Sequence, residues 1–316
     1  MCNGSIMDKL VSFALPLMLS GILQLMFNAV DIIVVGRFSG SEALAAVGST
    51  TALINVFTNL FIGISLGANV LAARFFAAGR KEEMSETVHT SITLALISGI
   101  LMAFVGLVFS KGALELMGTP EDVIGLSTLY MRIYFMGMPF FMLYNYGAAI
   151  LRAVGDTKRP LYFLIIAGVI NAGLNMVLVI VFGLGVAGVG IATVFSQMVS
   201  CVLVLTCLCR TEGSYKLSFS KLSMKGYYLK QIFQVGIPAG IQSTVINFSN
   251  ALLQSSVNSF GSTAMAGYTA ANNILGFLYV SINSVTQACM SFTSQNYGVG
   301  KYKRMDRVLI DCLILT

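Results

Sequence analysis

From Leu161 to Phe182 the chain runs without one charged residue. A helix needs about 20 mostly apolar residues to cross hydrocarbon, and a barrel strand needs only about half that number. In lipid every backbone N–H and C=O must be satisfied by its own segment or by a closed barrel, so a run of this length is a membrane helix. The pattern recurs along the chain. It predicts eight complete helices at roughly 11–36, 43–73, 87–109, 127–153, 161–182, 187–208, 231–258 and 264–292, with a ninth that begins near Val308 and is cut off at Thr316. The expected fold class is an all-α integral membrane protein, a polytopic helical bundle.

Composition agrees with lipid rather than water as the main solvent. Hydrophobic residues make up 56% and charged residues 10%, against about a quarter charged in soluble domains. The net charge of +6 comes from basic residues in short loops. They form no stripe interleaved with aromatics, so no nucleic-acid partner is expected. The six cysteines, Cys2, Cys201, Cys207, Cys209, Cys289 and Cys312, lack paired metal-ligand spacing and read as small buried hydrophobes. The first apolar run carries Asp31 and leads straight into another, with no small-residue cleavage pattern, so no cleaved leader is expected.

Sixteen of the nineteen Lys and Arg residues fall on alternate connections that include the segment before the first span and the long 209–230 connection. Only Arg37, Lys111 and Arg132 fall on the other side. The positive-inside bias therefore predicts a cytoplasmic N-terminus, with the 37–42, 110–126, 183–186 and 259–263 loops outside. The expected location is the plasma (cytoplasmic) membrane, with the chain a multi-pass monomer in contact with membrane lipid.

Sliding the chain on itself by 222 residues lays the first span on the seventh and the second on the eighth. Leu15-Pro16 then falls on Ile237-Pro238, Phe38 on Phe260 and Leu53 on Leu275. After a one-residue slip Gly79-Arg80 falls on Gly300-Lys301 and Met84 on Met305. Both copies start on the same side, which predicts parallel repeats related about the membrane normal. The expected organisation is an N-terminal six-helix lobe over 1–208, a cytoplasmic linker over 209–230 and a partial C-terminal lobe over 231–316. By comparison with the first copy, the second stops roughly 130 residues short of a full six-helix unit, so the chain is expected to be a truncated form of a twelve-helix protein.

Of thirteen carboxylates, all but Asp31 and Asp311 lie in loops or at span edges, and Asp311 is just inside the unfinished ninth segment. Asp31 sits well within the first span, where a charge costs at least about 2.5 kcal/mol. It needs either a structural partner, such as an interhelical hydrogen bond, or a role. A carboxylate facing a bundle interior can take up a proton or hold Na⁺ with neighbouring oxygens, and either event switches its charge. Gln24, Phe27 and Asn28 lie on the same helical face and are candidates for the substrate cavity, as is Tyr144 in the fourth span.

Asn171 and Asn175, one turn apart in the fifth span, and Thr193 in the sixth offer oxygens suited to a hard cation or a proton relay, or serve as glue between helices. Asn55, Asn59 and Asn69 in the second span and Gln242, Asn247, Asn250 and Gln254 in the seventh suggest a wet interior. Pro16 and Pro238 each delete a helix hydrogen bond and are candidate bend points.

Two lures fail on context. Gly183-Leu-Gly185-Val-Ala-Gly188 fits the dinucleotide fingerprint by letter, yet it lies in a tight turn between lipid spans, not after a strand. His89, the only histidine, has no acidic or cysteine partners in sequence and reads as a surface residue. No nucleophile elbow, catalytic carboxylate pair or phosphate loop appears, so no enzyme, cofactor or resident metal is expected.

The chain resembles the multidrug and toxic compound extrusion (MATE) transporters over essentially its whole length. The likeness rests on Leu15-Pro16, Val30-Asp31, Val35-Gly36-Arg37, Ala43-Leu-Ala-Ala-Val-Gly48, Leu151-Arg-Ala-Val-Gly-Asp-Thr-Lys-Arg-Pro160, Phe182-Gly-Leu-Gly-Val-Ala-Gly188 and Gly236-Ile-Pro-Ala-Gly240. The resemblance implies two six-helix bundles around a central cavity, exporting cationic or amphipathic compounds by antiport with H⁺ or Na⁺. It implies that Asp31 is the cation-coupling carboxylate, that Asn171 and Thr193 are its partners, and that the first helix bends at Pro16.

Two departures stand out. Asn175 occupies the place of an aspartate in the family's Asn-x-x-x-Asp motif, which weakens a two-carboxylate Na⁺ site and leaves the coupling ion open. Phe27 replaces a tyrosine often found one turn before the aspartate. The seventh span also lacks the glutamate of the NorM-type branch. Two rivals remain: a flippase for lipid-linked precursors, which should show several Arg or Lys centrally in the spans, and an intramembrane enzyme, which should show a second catalytic group within them. Neither signature is found.

Overall fold

The computed structural model describes residues 1–258 and 262–316, and every element among them is helical. Ten α-helices follow one another: α1 (Ile6–Phe38), α2 (Ser41–Ala77), α3 (Lys81–Leu116), α4 (Glu121–Met136), α5 (Met138–Ala153), α6 (Lys158–Asn175), α7 (Gly185–Arg210), α8 (Gly226–Asn258), α9 (Ser262–Gly298) and α10 (Tyr302–Leu315). Among the described residues five stretches are long and apolar enough to cross a membrane: α1, α2, α3, α7 and residues 158–181. At 33 and 37 residues α8 and α9 are as long, but they carry more Asn, Ser, Gln and Thr. Phe260 and the 259–261 part of the expected outer loop lie outside the described residues, as do the side chains of Asn247 and Gln254.

The single span expected over 127–153 is corrected to two helices of 16 residues each, α4 and α5, which meet at Gly137. Pro139 has no N–H to give the helix carbonyl four residues earlier, so the ladder is interrupted. A Cβ on Gly137 would stand 2.8 Å from Gln197 Oε1 and from Val194 Cγ2. The break is thus pressed against α7, where only glycine fits.

α6 is prolonged by a π-helical stretch, Met176–Val181, in which Phe182 N–H reaches back five residues to Val177 O. By contrast α1 and α8 run through Pro16 and Pro238 as continuous helices.

α2 is the hub, packing on α3, α4, α5, α8 and α9, while α1 packs on α6 and α9. Its crossing with α8 is unusually close. A Cβ on Gly63 would collide with the backbone of Gly240, one on Gly67 with Ile232 O, and one on Gly236 with the Ile64 backbone. Two small-xxx-small faces therefore bring helix backbone onto helix backbone, the device that replaces the hydrophobic effect between helices in lipid.

A second apolar cluster, with Leu10, Phe13, Ala288, Phe292 and Val308, joins α1 to α9 and α10. Within it Phe13 and Phe292 meet edge to face at 5.7 Å.

The expectation of a surface histidine is corrected. His89 is buried on α3. Its Nδ1 lies 2.7 Å from Ser85 O, and its Nε2 accepts the backbone N–H of Ser218 at 3.1 Å. With Nδ1–H donating and Nε2 accepting, the ring ties the 211–225 connection to α3. Phe76 at the end of α2 and Tyr215 of the connection meet edge to face at 6.1 Å.

Candidate cation-coupling site

Asp31 is buried on α1 with 8% of its surface exposed. The helix carries it there because Val34 and Val35, on the same stretch, are buried against the core while Ile32 and Ile33 face outward. Across the gap stand α6 and α7.

The side-chain nitrogen of Asn175 donates to Asp31 Oδ1, and to Asn171 Oδ1 at 3.2 Å. Asn171 Nδ2 in turn reaches Thr193 Oγ1 at 3.5 Å, and Thr193 donates to Val189 O at 2.9 Å. Thr193 also lies beside the Asp31 carboxylate. One connected polar group thus joins α1, α6 and α7, and four residues picked from sequence, Asp31, Asn171, Asn175 and Thr193, are its members.

Asn175 is fully buried, yet among the described residues its Oδ1 has no hydrogen-bond partner. A buried amide oxygen without a donor costs about 1–3 kcal/mol. Flipping the amide would turn this oxygen onto Asp31, an arrangement that suits only a protonated carboxyl. The carboxylate, Asn171 Oδ1 and Thr193 Oγ1 in this group are oxygens of the kind hard cations prefer. The Asp31 carboxylate alone can accept a proton. Asn175 is also the last residue before the π-helical stretch, a distortion that often accompanies functional positions.

Tyr130 and Tyr134 on α4 lie near enough to feel the Asp31 charge, and their rings are 6.2 Å apart. The sequence reading missed both. Their only signal was a pair of tyrosines at helical spacing in a span, which packing alone also explains.

The four cavity candidates separate. Gln24 and Asn28 are exposed on α1. Phe27 is half-buried with its ring laid on Gly168 of α6, where a Cβ would collide with it. Tyr144 is not brought to this group. It is 7% exposed, and its hydroxyl donates to Pro160 O at 3.2 Å, which places it in the packing between α5 and α6 rather than on an open wall.

A family model described as MatE matches residues 16–177 and 238–316. The chain is 33% identical over 314 residues to "Probable multidrug resistance protein YoeA" of Bacillus subtilis (strain 168), covering 96% of this chain and 67% of that one. It is 24% identical over 308 residues to "FAD transporter" of Shewanella oneidensis, covering 95% and 67%. A solved structure described as the outward-facing conformation of a multidrug resistance MATE family transporter superposes with a TM-score of 0.91 at 24% identity, covering 99% of this chain and 69% of that one.

The family match spans most of the sequence, including Asp31 and both asparagines of the polar group. The chain accordingly belongs to the MatE family, multi-pass membrane transporters of small molecules that take part in multidrug efflux, work without a cofactor and are not enzymes.

Proposed function

We propose that this protein exports cationic or amphipathic small molecules by antiport with H⁺ or Na⁺, and that Asp31 is the group through which the ion is coupled. The observation that carries the reading is the buried carboxylate with an unpaired amide oxygen beside it. A cation or proton arriving there changes the charge of a group that lipid and protein otherwise keep from water, and that change biases which side of the bundle is open.

Sequence periodicity and the concentration of basic residues on one side support two parallel-repeat lobes with a cytoplasmic N-terminus. The lobes rock about a central cavity to which the exposed Gln24 and Asn28 contribute. Pro16 and Pro238 are the points at which their helices bend. The spans contain no central Arg or Lys suited to a pyrophosphate, so a lipid-precursor flippase is not favoured.

The test is accumulation of a fluorescent lipophilic cation in cells expressing the protein, with a flavin nucleotide as a second substrate. Native protein and Asp31→Asn are compared under imposed proton and sodium gradients. Native protein lowers accumulation of the cation when one of the two gradients is present, and Asp31→Asn does not. Equal efflux by both overturns the coupling role. The effective gradient identifies the ion.

A further inference from the structure

At the end of the bundle that carries the N-terminus, α9 is fastened to α2 and α5 by polar side chains. Ser291 Oγ donates to Asn69 Oδ1 at 3.0 Å, Asn69 Nδ2 donates to Ala149 O at 2.8 Å, and Gln295 Nε2 donates to Ala153 O at 2.7 Å. Ala153 is the last residue of α5, so its carbonyl is one that the helix itself leaves free. Asn69, Ser291 and Gln295 are each at least 95% buried. Ser291, Ser294, Gln295 and Gly298 recur at helical spacing along α9. Gly298 presses on Arg74 O, and the Arg74 guanidinium stands 4.9 Å over the Tyr297 ring.

Asn69 and Ser291 are 222 residues apart, the offset that lays the first spans of the two halves on one another, so they are equivalent to within the one-residue slip that Gly79-Arg80 and Gly300-Lys301 require. In a body built from two repeats about a two-fold axis, equivalent residues can touch only where they sit beside that axis. On the two-repeat reading the Asn69–Ser291 bond therefore lies beside the axis, at the point where a rocking motion opens or closes this face.

A polar seal suits that task. When it parts, water replaces each lost hydrogen bond and the net cost is small, whereas an apolar seal of the same extent would expose apolar area at about 25 cal/mol per Å².

We propose that Asn69 and Ser291, with Gln295 beside them, form a latch on the repeat axis that holds the N-terminal face of the bundle closed and must part for that face to open. The proposal rests on the two-lobe rocking reading above, but its test needs neither a substrate nor an ion gradient.

In a variant with the six native cysteines replaced, Ser294→Cys places a thiol at a position that is 9% exposed. Membrane vesicles are treated with an impermeant maleimide on the face carrying the N-terminus, and the labelling rate is measured. Removing one buried bond shifts the closed-to-open balance by roughly two- to tenfold, so Ser291→Ala and Gln295→Ala each speed labelling within that range, while Ser291→Thr, which keeps the hydroxyl, labels at the native rate.

Asn69→Ala speeds labelling further if it folds, as judged by gel filtration and melting; if it does not, the two α9 variants carry the test. Folded Ser291→Ala and Gln295→Ala proteins that label at the native rate overturn the latch and leave these contacts as static packing. Loss of the Asp31 coupling role would leave this result untouched.

Discussion

The side-chain amide of Asn175 donates to the Asp31 carboxylate across 144 residues of sequence, and its own oxygen is buried and unpaired among the described residues. Asn175→Ala removes a donor to an ionisable group, a bond worth about 1.5–3 kcal/mol, and is expected to lower the melting temperature in a thiol-reactive dye assay. Asn175→Asp sets a second carboxylate beside the first. Its melting temperature is expected to rise when choline chloride is exchanged for sodium chloride, and to rise more than that of the native protein.

The Phe27 ring lies on Gly168 with no space for a methyl group. Gly168→Ala is expected to cost about 1–3 kcal/mol by overpacking. Phe27→Leu in the same chain should recover most of that loss, because the obstruction is a side chain. A double-mutant cycle on melting temperatures reads the coupling directly.

At the α2–α8 crossing the obstruction is backbone, so no partner substitution can relieve it. Gly63→Ala and Gly240→Ala should each destabilise the fold or prevent it. Gly112 in α3 is the control: among the described residues no neighbour beyond its own helix turn lies within 4 Å of a Cβ placed there, and Gly112→Ala should stabilise by about 0.5–1 kcal/mol through helix propensity. Yields of monodisperse protein and melting temperatures of the three variants check the contrast.

His89 holds Ser218 by a ring nitrogen that must remain an acceptor. His89→Ala should free the 211–225 connection from α3, and limited trypsin should then cut at Lys216 and Lys221 several-fold faster than in the native protein. Cleavage at other sites should be unchanged.

Asp31 could be found from the sequence because a charge within an apolar run has few reasons to be there. Asn171 and Asn175 could be found because their four-residue spacing puts two amides on one helical face. Each signal is carried by the residue's own chemistry.

His89 was misplaced because its partners are a backbone carbonyl and a backbone N–H, which leave no mark in the sequence. The break at Gly137 was missed because hydropathy is continuous across 127–153 and does not register a hydrogen-bond ladder. Tyr144 was assigned to the cavity because an amphipathic ring looks the same in sequence whether it faces a substrate or a carbonyl such as that of Pro160. The π-helical stretch after Asn175 had no local signal at all, since Met176–Val181 is ordinary apolar sequence.

Where Gly63 meets Gly240, no knob has to climb out of a hole for α2 and α8 to change their angle. The crossing can serve as a fulcrum. Asn69 lies about 9 Å along α2 from Gly63 at 1.5 Å of rise per residue, so a tilt of roughly 15° there carries it about 2 Å, farther than a hydrogen bond survives. The bonds that resist such a tilt are therefore those farthest from the pivot, where the same angle gives the largest displacement.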